Sequence, residues 1–166
     1  NIEVPKSSKF VRNQFKIFTL NSNTIPSKLR KKFNANIKVN YDFGICRYIG
    51  KIRQNGDLKD HIKFVNWNLI QSIDVQLKTG NILNTVKFKL LIPETRNGLN
   101  EVFATTLLRS LDFLAPETFE VNTSVNGVKT IMLFQERAEK ELLERTCRSS
   151  FSSEVTEVLE TLVSKS

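Results

Sequence analysis

Two lysines, Lys87 and Lys89, lie two residues apart in a stretch whose alternate positions, Val86, Phe88, Leu90 and Ile92, are apolar. That alternation predicts a strand with both ammonium groups on one face and the apolar side chains on the other. A cation fixed on a strand can meet a phosphate or a carboxylate. By residue type alone, the pair is also what an ordinary strand shows to solvent. A second cluster, Gly56-Asp57-Leu58-Lys59-Asp60-His61, brings two carboxylates together with the chain's single histidine. Such a set could hold a metal or move protons, and Asp in a loop equally serves local turn hydrogen bonding. Arg96-Asn97 could meet phosphate or form a plain turn with a helix cap. Cys46, Cys147 and His61 make no zinc spacing, and no rule pairs the two cysteines in a disulfide.

These residues must be positioned by the elements around them. Residues 85–136 divide into a strand, a turn, a helix, a Pro-marked corner and a hairpin. Pro93 ends the lysine strand, and Asn97-Gly98 marks the turn. A helix is expected over 100–111, with Asn100 as cap, Glu101 in its first turn and Phe103, Leu107 and Leu111 on its packing stripe. After Ala115-Pro116, alternation through Phe119, Val121, Thr123 and Val125 leads to Asn126-Gly127, a strong hairpin signal. The return strand, 128–134, is apolar on both faces near its end.

This segment resembles the core of the spore coat protein H (CotH) kinase-like family. The resemblance rests on the lysine-bearing KFKLLIP strand, the Arg96-Asn97 turn and the Leu-x-x-x-Ala-Pro corner. The VNGV hairpin and a strand ending in Phe134-Gln135-Glu136 complete it. It covers about residues 70–144. It implies an ATP-binding N-terminal lobe portion of an atypical protein kinase that, when complete, transfers phosphate to protein Ser/Thr. In it Lys89 contacts ATP phosphates and pairs with Glu101, Lys87 is the fallback cation, and Gln135 and Glu136 occupy the segment meeting the adenine. ATP and Mg²⁺ are the implied cofactors of the complete protein, and a protein substrate and a missing C-terminal lobe its partners. Two departures stand out: Glu101 lies nearer its helix start than the family's paired glutamate, and no GxGxxG loop is present. The family's catalytic acid and metal ligands lie downstream, so no catalytic residue is assigned to this chain. The alternative is a noncatalytic interaction domain of a surface or coat protein.

The 166 residues carry 40% hydrophobic residues and 12 Phe, enough for a core and too apolar for disorder. No apolar run reaches membrane-spanning length. The chain begins at Asn1 without a signal-peptide pattern, and it reads as a cut through a larger protein. The net charge of +8 is uneven: residues 1–53 carry +10 and the remainder −2. Lys28, Arg30, Lys31 and Lys32 concentrate this charge, but with few interleaved aromatics a nucleic-acid partner is disfavoured. The simplest role for the basic arm is a solvated face.

Residues 1–13 read as loose, 14–20 as a strand and 24–33 as a short basic helix. Strands follow at 35–42, 44–53 and 69–78, the last with Ile73, Val75 and Leu77 inward. Residues 137–145 and the stretch after Ser152-Ser153 read as helices. The expected fold is α+β: an antiparallel sheet with the 100–111 helix packed on one face, like an atypical protein-kinase small lobe, plus C-terminal helices. Its parts are a basic 1–68 segment, a 69–136 core, and 137–166 leading into the missing lobe.

Overall fold

A computed structural model describes residues 1–138. Of the helix expected over 137–145, residues 137 and 138 are described and not helical; its remainder, the last helix and Cys147 lie outside the described residues. Within them, nine strands and two α-helices follow one another as β1 (Ile2–Glu3), α1 (Ser7–Phe18), β2 (Phe33–Tyr41), β3 (Gly44–Gln54), β4 (Ile62–Val65), β5 (Asn68–Gln71), β6 (Ile73–Leu77), β7 (Lys87–Leu91), α2 (Leu99–Ser110), β8 (Thr118–Val125) and β9 (Val128–Glu136). Seven strands close into a barrel in the order β1-β2-β3-β6-β7-β9-β8, and β4 and β5 form a separate hairpin. No helix among the described residues is long and apolar enough to cross a membrane.

The strand alternation drives this architecture. Ile37, Ile52, Val75, Phe88, Leu90, Met132 and Phe134 are buried together inside the barrel. Burying each such side chain contributes about 1.5–3 kcal/mol relative to exposure. Gly50 sits where the wall is tightest, since a Cβ there would lie 2.8 Å from the Gln76 carbonyl oxygen and 3.1 Å from Ile37 Cδ1. The β8–β9 hairpin turns on Asn126 and Gly127, both at positive φ, as its Asn-Gly dipeptide predicts.

Closure comes from the shortest strand. Ile2 pairs antiparallel with Ile37 of β2 and parallel with Val125 of β8. The same Asn126 that forms the hairpin turn fastens this seam. Its Oδ1 accepts the Val4 N–H at 2.7 Å, and its N–H donates to the Ile2 carbonyl at 2.9 Å.

The expected α+β fold, a kinase-like small lobe with a packed helix, is therefore corrected to a mostly β, closed seven-stranded barrel with two helices. An open sheet and a barrel carry the same period-2 pattern, so periodicity could not separate them. The packed-helix expectation is corrected as well. In α2 only Thr105 is buried, while Phe103 remains 69% exposed and Leu99, Leu107 and Leu111 are exposed beside it. Its start is also shifted: Gly98 precedes it, with no side-chain cap.

Residues 7–18, divided in the sequence reading between loose chain and strand, form α1, which buries Phe10, Asn13, Gln14 and Ile17. The Phe10 ring meets Phe33 edge-on at 5.3 Å, and Asn13 Nδ2 donates to the Leu29 carbonyl at 2.8 Å. In place of the basic helix at 24–33, only Ser27–Leu29 form a single 3-10 turn. The one strand expected over 69–78 is two, broken at fully buried Ser72. There Ser72 N–H donates to the His61 carbonyl, and Ser72 Oγ accepts the Ile92 N–H at 3.0 Å.

Candidate functional site

The barrel register lays the polar side chains of β3, β6, β7 and β9 in rows across the outer surface. One row runs Arg53, Asp74, Lys89, Gln135 and then Thr118 of β8, each opposite the next. The adjacent row runs Lys51, Gln76 and Lys87, and the Arg137 N–H donates to the Lys87 carbonyl at 3.2 Å. Because strand side chains alternate, these rows share the face opposite the packed interior. A groove of about 360 Å³ runs along the second row and the Arg53–Asp74 end of the first, lined by Lys32, Lys51, Arg53, Asp74, Gln76 and Lys87 but not by Lys89 or Gln135. Its volume falls within the range of small-molecule sites.

Lys89 is half-buried. The carboxylates nearest to it in register are committed elsewhere. Asp74 is clamped by Arg53, whose Nε and Nη2 both lie 2.8 Å from Asp74 Oδ2. Glu101, on the first turn of α2, accepts a 2.6 Å hydrogen bond from buried Gln135 Nε2. Among the described residues Lys89 makes no ion pair, so the expected Lys89–Glu101 pairing is replaced by a link through Gln135, the cross-strand neighbour of Lys89. Glu101 reaches β9 rather than β7. Glu136, 3% exposed, accepts the Glu117 N–H with Oε2 at 3.3 Å. It stands opposite Phe88 rather than in the Lys89 row. Of the five residues singled out in the sequence, Lys89, Gln135 and Glu101 thus come together, Lys87 lies one row away, and Glu136 lies apart.

His61 joins this neighbourhood from the loop before β4, which the sequence did not connect to Lys89. Burial is the main cause of its lowered pKa, and the charges of Arg96 and Lys89 lower it further, against the opposite pull of Asp60 and Asp57. The imidazole is therefore neutral at pH 7, and its Nδ1 is buried without a partner. Two cations from other elements thus act on the charge state of His61, and the signal was hidden because the three come from separate parts of the chain.

The rest of the Gly56–His61 loop has structural roles. Asp57 pairs with Arg30, and its carbonyl accepts the Ile25 N–H at 2.7 Å. Lys59 Nζ donates to the Leu20 carbonyl at 2.7 Å. Gly56, at φ +80°, packs against the His61 ring, which would collide with any Cβ there. No group of three or more His, Cys, Asp or Glu able to hold a metal occurs among the described residues. Mg²⁺ is commonly held by one or two carboxylates together with substrate phosphates, and Asp74, the carboxylate of the Lys89 row, is already engaged by Arg53. Cys46 is a half-buried free thiol. Neither any family model nor any curated protein matches this chain.

Proposed function

We propose that this chain binds ATP on the outer face of the barrel, at Lys89 and beside the neighbouring groove, as the N-terminal portion of a CotH-like atypical protein kinase that phosphorylates protein Ser/Thr when complete. The observation that carries the reading is Lys89: a half-buried cation without a carboxylate partner among the described residues, whose charge lowers the His61 pKa together with that of Arg96. Uncompensated positive charge at a partly desolvated site favours an incoming anion, and polyphosphate supplies several. Lys32 and Lys51 line the groove on the neighbouring row. The Gln135–Glu101 hydrogen bond ties α2 to the row holding Lys89, which fixes the position of that cation's neighbours. Bound ATP would bring its phosphates to Lys89, and phosphoryl transfer itself would need residues of the complete protein.

The test is ATP titration of the 166-residue chain, with and without Mg²⁺, read by calorimetry, beside Lys89→Ala. Saturable binding that weakens at least tenfold in Lys89→Ala supports the reading. No binding, or equal binding by both proteins, overturns it.

A noncatalytic interaction domain is the second reading, and a separate observation favours it. Leu99, Phe103, Leu107 and Leu111 recur every four residues along one exposed face of α2, and contiguous exposed apolar surface is characteristic of interaction sites. A chain that fails to bind ATP while Phe103→Glu abolishes its association with a partner belongs to this second class.

A further inference from the structure

We propose that the barrel interior is a second, independent binding site, taking the acyl chain of a small amphiphile. A pocket of about 540 Å³ opens into the barrel between β2, β7, β8 and β9. Its far wall is a run of stacked rings: Phe88 on Phe134 and Phe134 on Phe119, with both centroid separations 4.8 Å. Ile37, Val39, Leu90 and Val121 supply aliphatic walls. Polar residues also border it, at Asn1, Lys38, Asn40, Tyr41, Asn122 and Thr123, all half-buried or exposed.

That division selects the ligand. The deeply buried side chains of the lining are all apolar, so an ion or a sugar would be desolvated there without a partner. Water would also lack the polar partners that hold it in a cavity. A barrel this narrow is ordinarily filled by its own side chains or holds one small ligand. An apolar tail matches the walls, with its polar head kept among the polar and charged residues of the rim.

The turn at residues 80–85 borders the same opening. Ile82 and Thr85 exchange two backbone hydrogen bonds of 3.0 Å, and Ile82 is buried against the core. Between them Leu83 and Asn84 both adopt positive φ, at 51° and 60°. A leucine is held in the left-handed region only at some conformational cost, and the tight turn brings Leu83 into the pocket lining. A separate pocket of about 260 Å³ is lined by Phe10 of α1 and Leu69 of β5 with Ile73, Val125 and Met132. Of the two, the pocket bordered by Leu83 has the greater volume for an acyl chain.

The experiment titrates the 166-residue chain with fatty acids and fatty alcohols of eight to sixteen carbons, displacing a fluorescent polyene fatty acid. Val121→Trp fills the pocket, and Phe103→Glu removes the competing apolar surface of α2. The expected result is saturable one-to-one binding with an optimum chain length, weakened at least tenfold in Val121→Trp and unchanged in Phe103→Glu. Methyl-detected NMR of the unmutated protein gives a second reading, with shifts expected at Ile37, Val39, Leu90 and Val121. Absence of binding at every chain length overturns the proposal, as does binding lost in Phe103→Glu, or shifts confined to α2. Lys89→Ala leaves this binding intact, so its outcome is separable from that of the ATP titration.

Discussion

His61 serves as an internal reporter of the charge around Lys89. Burial, Arg96 and Lys89 depress its pKa, so removing one of those cations moves it back upward. In Lys89→Ala the His61 pKa is expected to rise toward the ordinary value of about 6.5, followed by the imidazole resonances in a pH titration. A bound polyanion moves it in the same direction in the unmutated protein. The depression also links to stability. The unfolded chain takes up the proton at a higher pH than the folded one, so this contribution is present above about 6.5 and is lost as pH falls through the folded pKa. Urea midpoints between pH 7 and pH 5 are expected to fall less in His61→Phe than in the parent. Gly50 provides a purely steric counterpart. Alanine there drives a Cβ against the Gln76 carbonyl, which is held in the β3–β6 ladder, and is expected to cost about 1–3 kcal/mol in denaturant unfolding. The shared face of Lys87 and Lys89 was legible because period-2 alternation is strictly local. The approach of His61 and Arg96 was not, because it depends on where a separate hairpin and a separate turn come to rest.

Among the elements, α2 departs most from its pattern. Its apolar residues recur at helical spacing, which implies a buried stripe, yet that stripe faces outward. Phe103→Glu is accordingly expected to shift stability by no more than about 0.5 kcal/mol, measured by thermal unfolding; a large loss would mean the face is covered in solution. The helix is held instead through Glu101 to Gln135 and Arg109 to Glu117, the latter at 3.6 Å. In α1 the failure is the reverse. Phe10, Val11, Phe15, Ile17 and Phe18 recur at helical spacing, a period lost when its second half is taken as a strand, while Asn13 and Gln14 share the buried face and Asn13 donates to the Leu29 carbonyl. The paired strands at 33–41 and 44–54 and the Asn126-Gly127 turn follow closely what alternation and turn chemistry predict. The second task of Asn126 leaves no trace in the sequence. Asn126→Gly preserves its positive φ but leaves the Val4 N–H without its acceptor. The expected loss is about 1–3 kcal/mol, seen as a lower urea midpoint.

At the scale of the whole molecule, closure converts a meander of antiparallel strands into a barrel with an outer groove and an inner pocket, two surfaces of opposite chemistry on shared strands. Along β7, Lys87 and Lys89 face one and Phe88 and Leu90 the other. This separation follows directly from alternation. That the inner face would enclose space depends on β1, whose two residues carry no recognisable strand pattern. The seam they form also has a cost in concentrated solution. Should β1 lift away, β2 and β8 would each present unpaired backbone to the surroundings, and the matching dipeptide of a neighbouring molecule would fit as well as the original. Reciprocal exchange of this short arm is then the natural route to dimers, quickened by weakening Asn126. Size-exclusion profiles of aged Asn126→Gly samples should reveal it first.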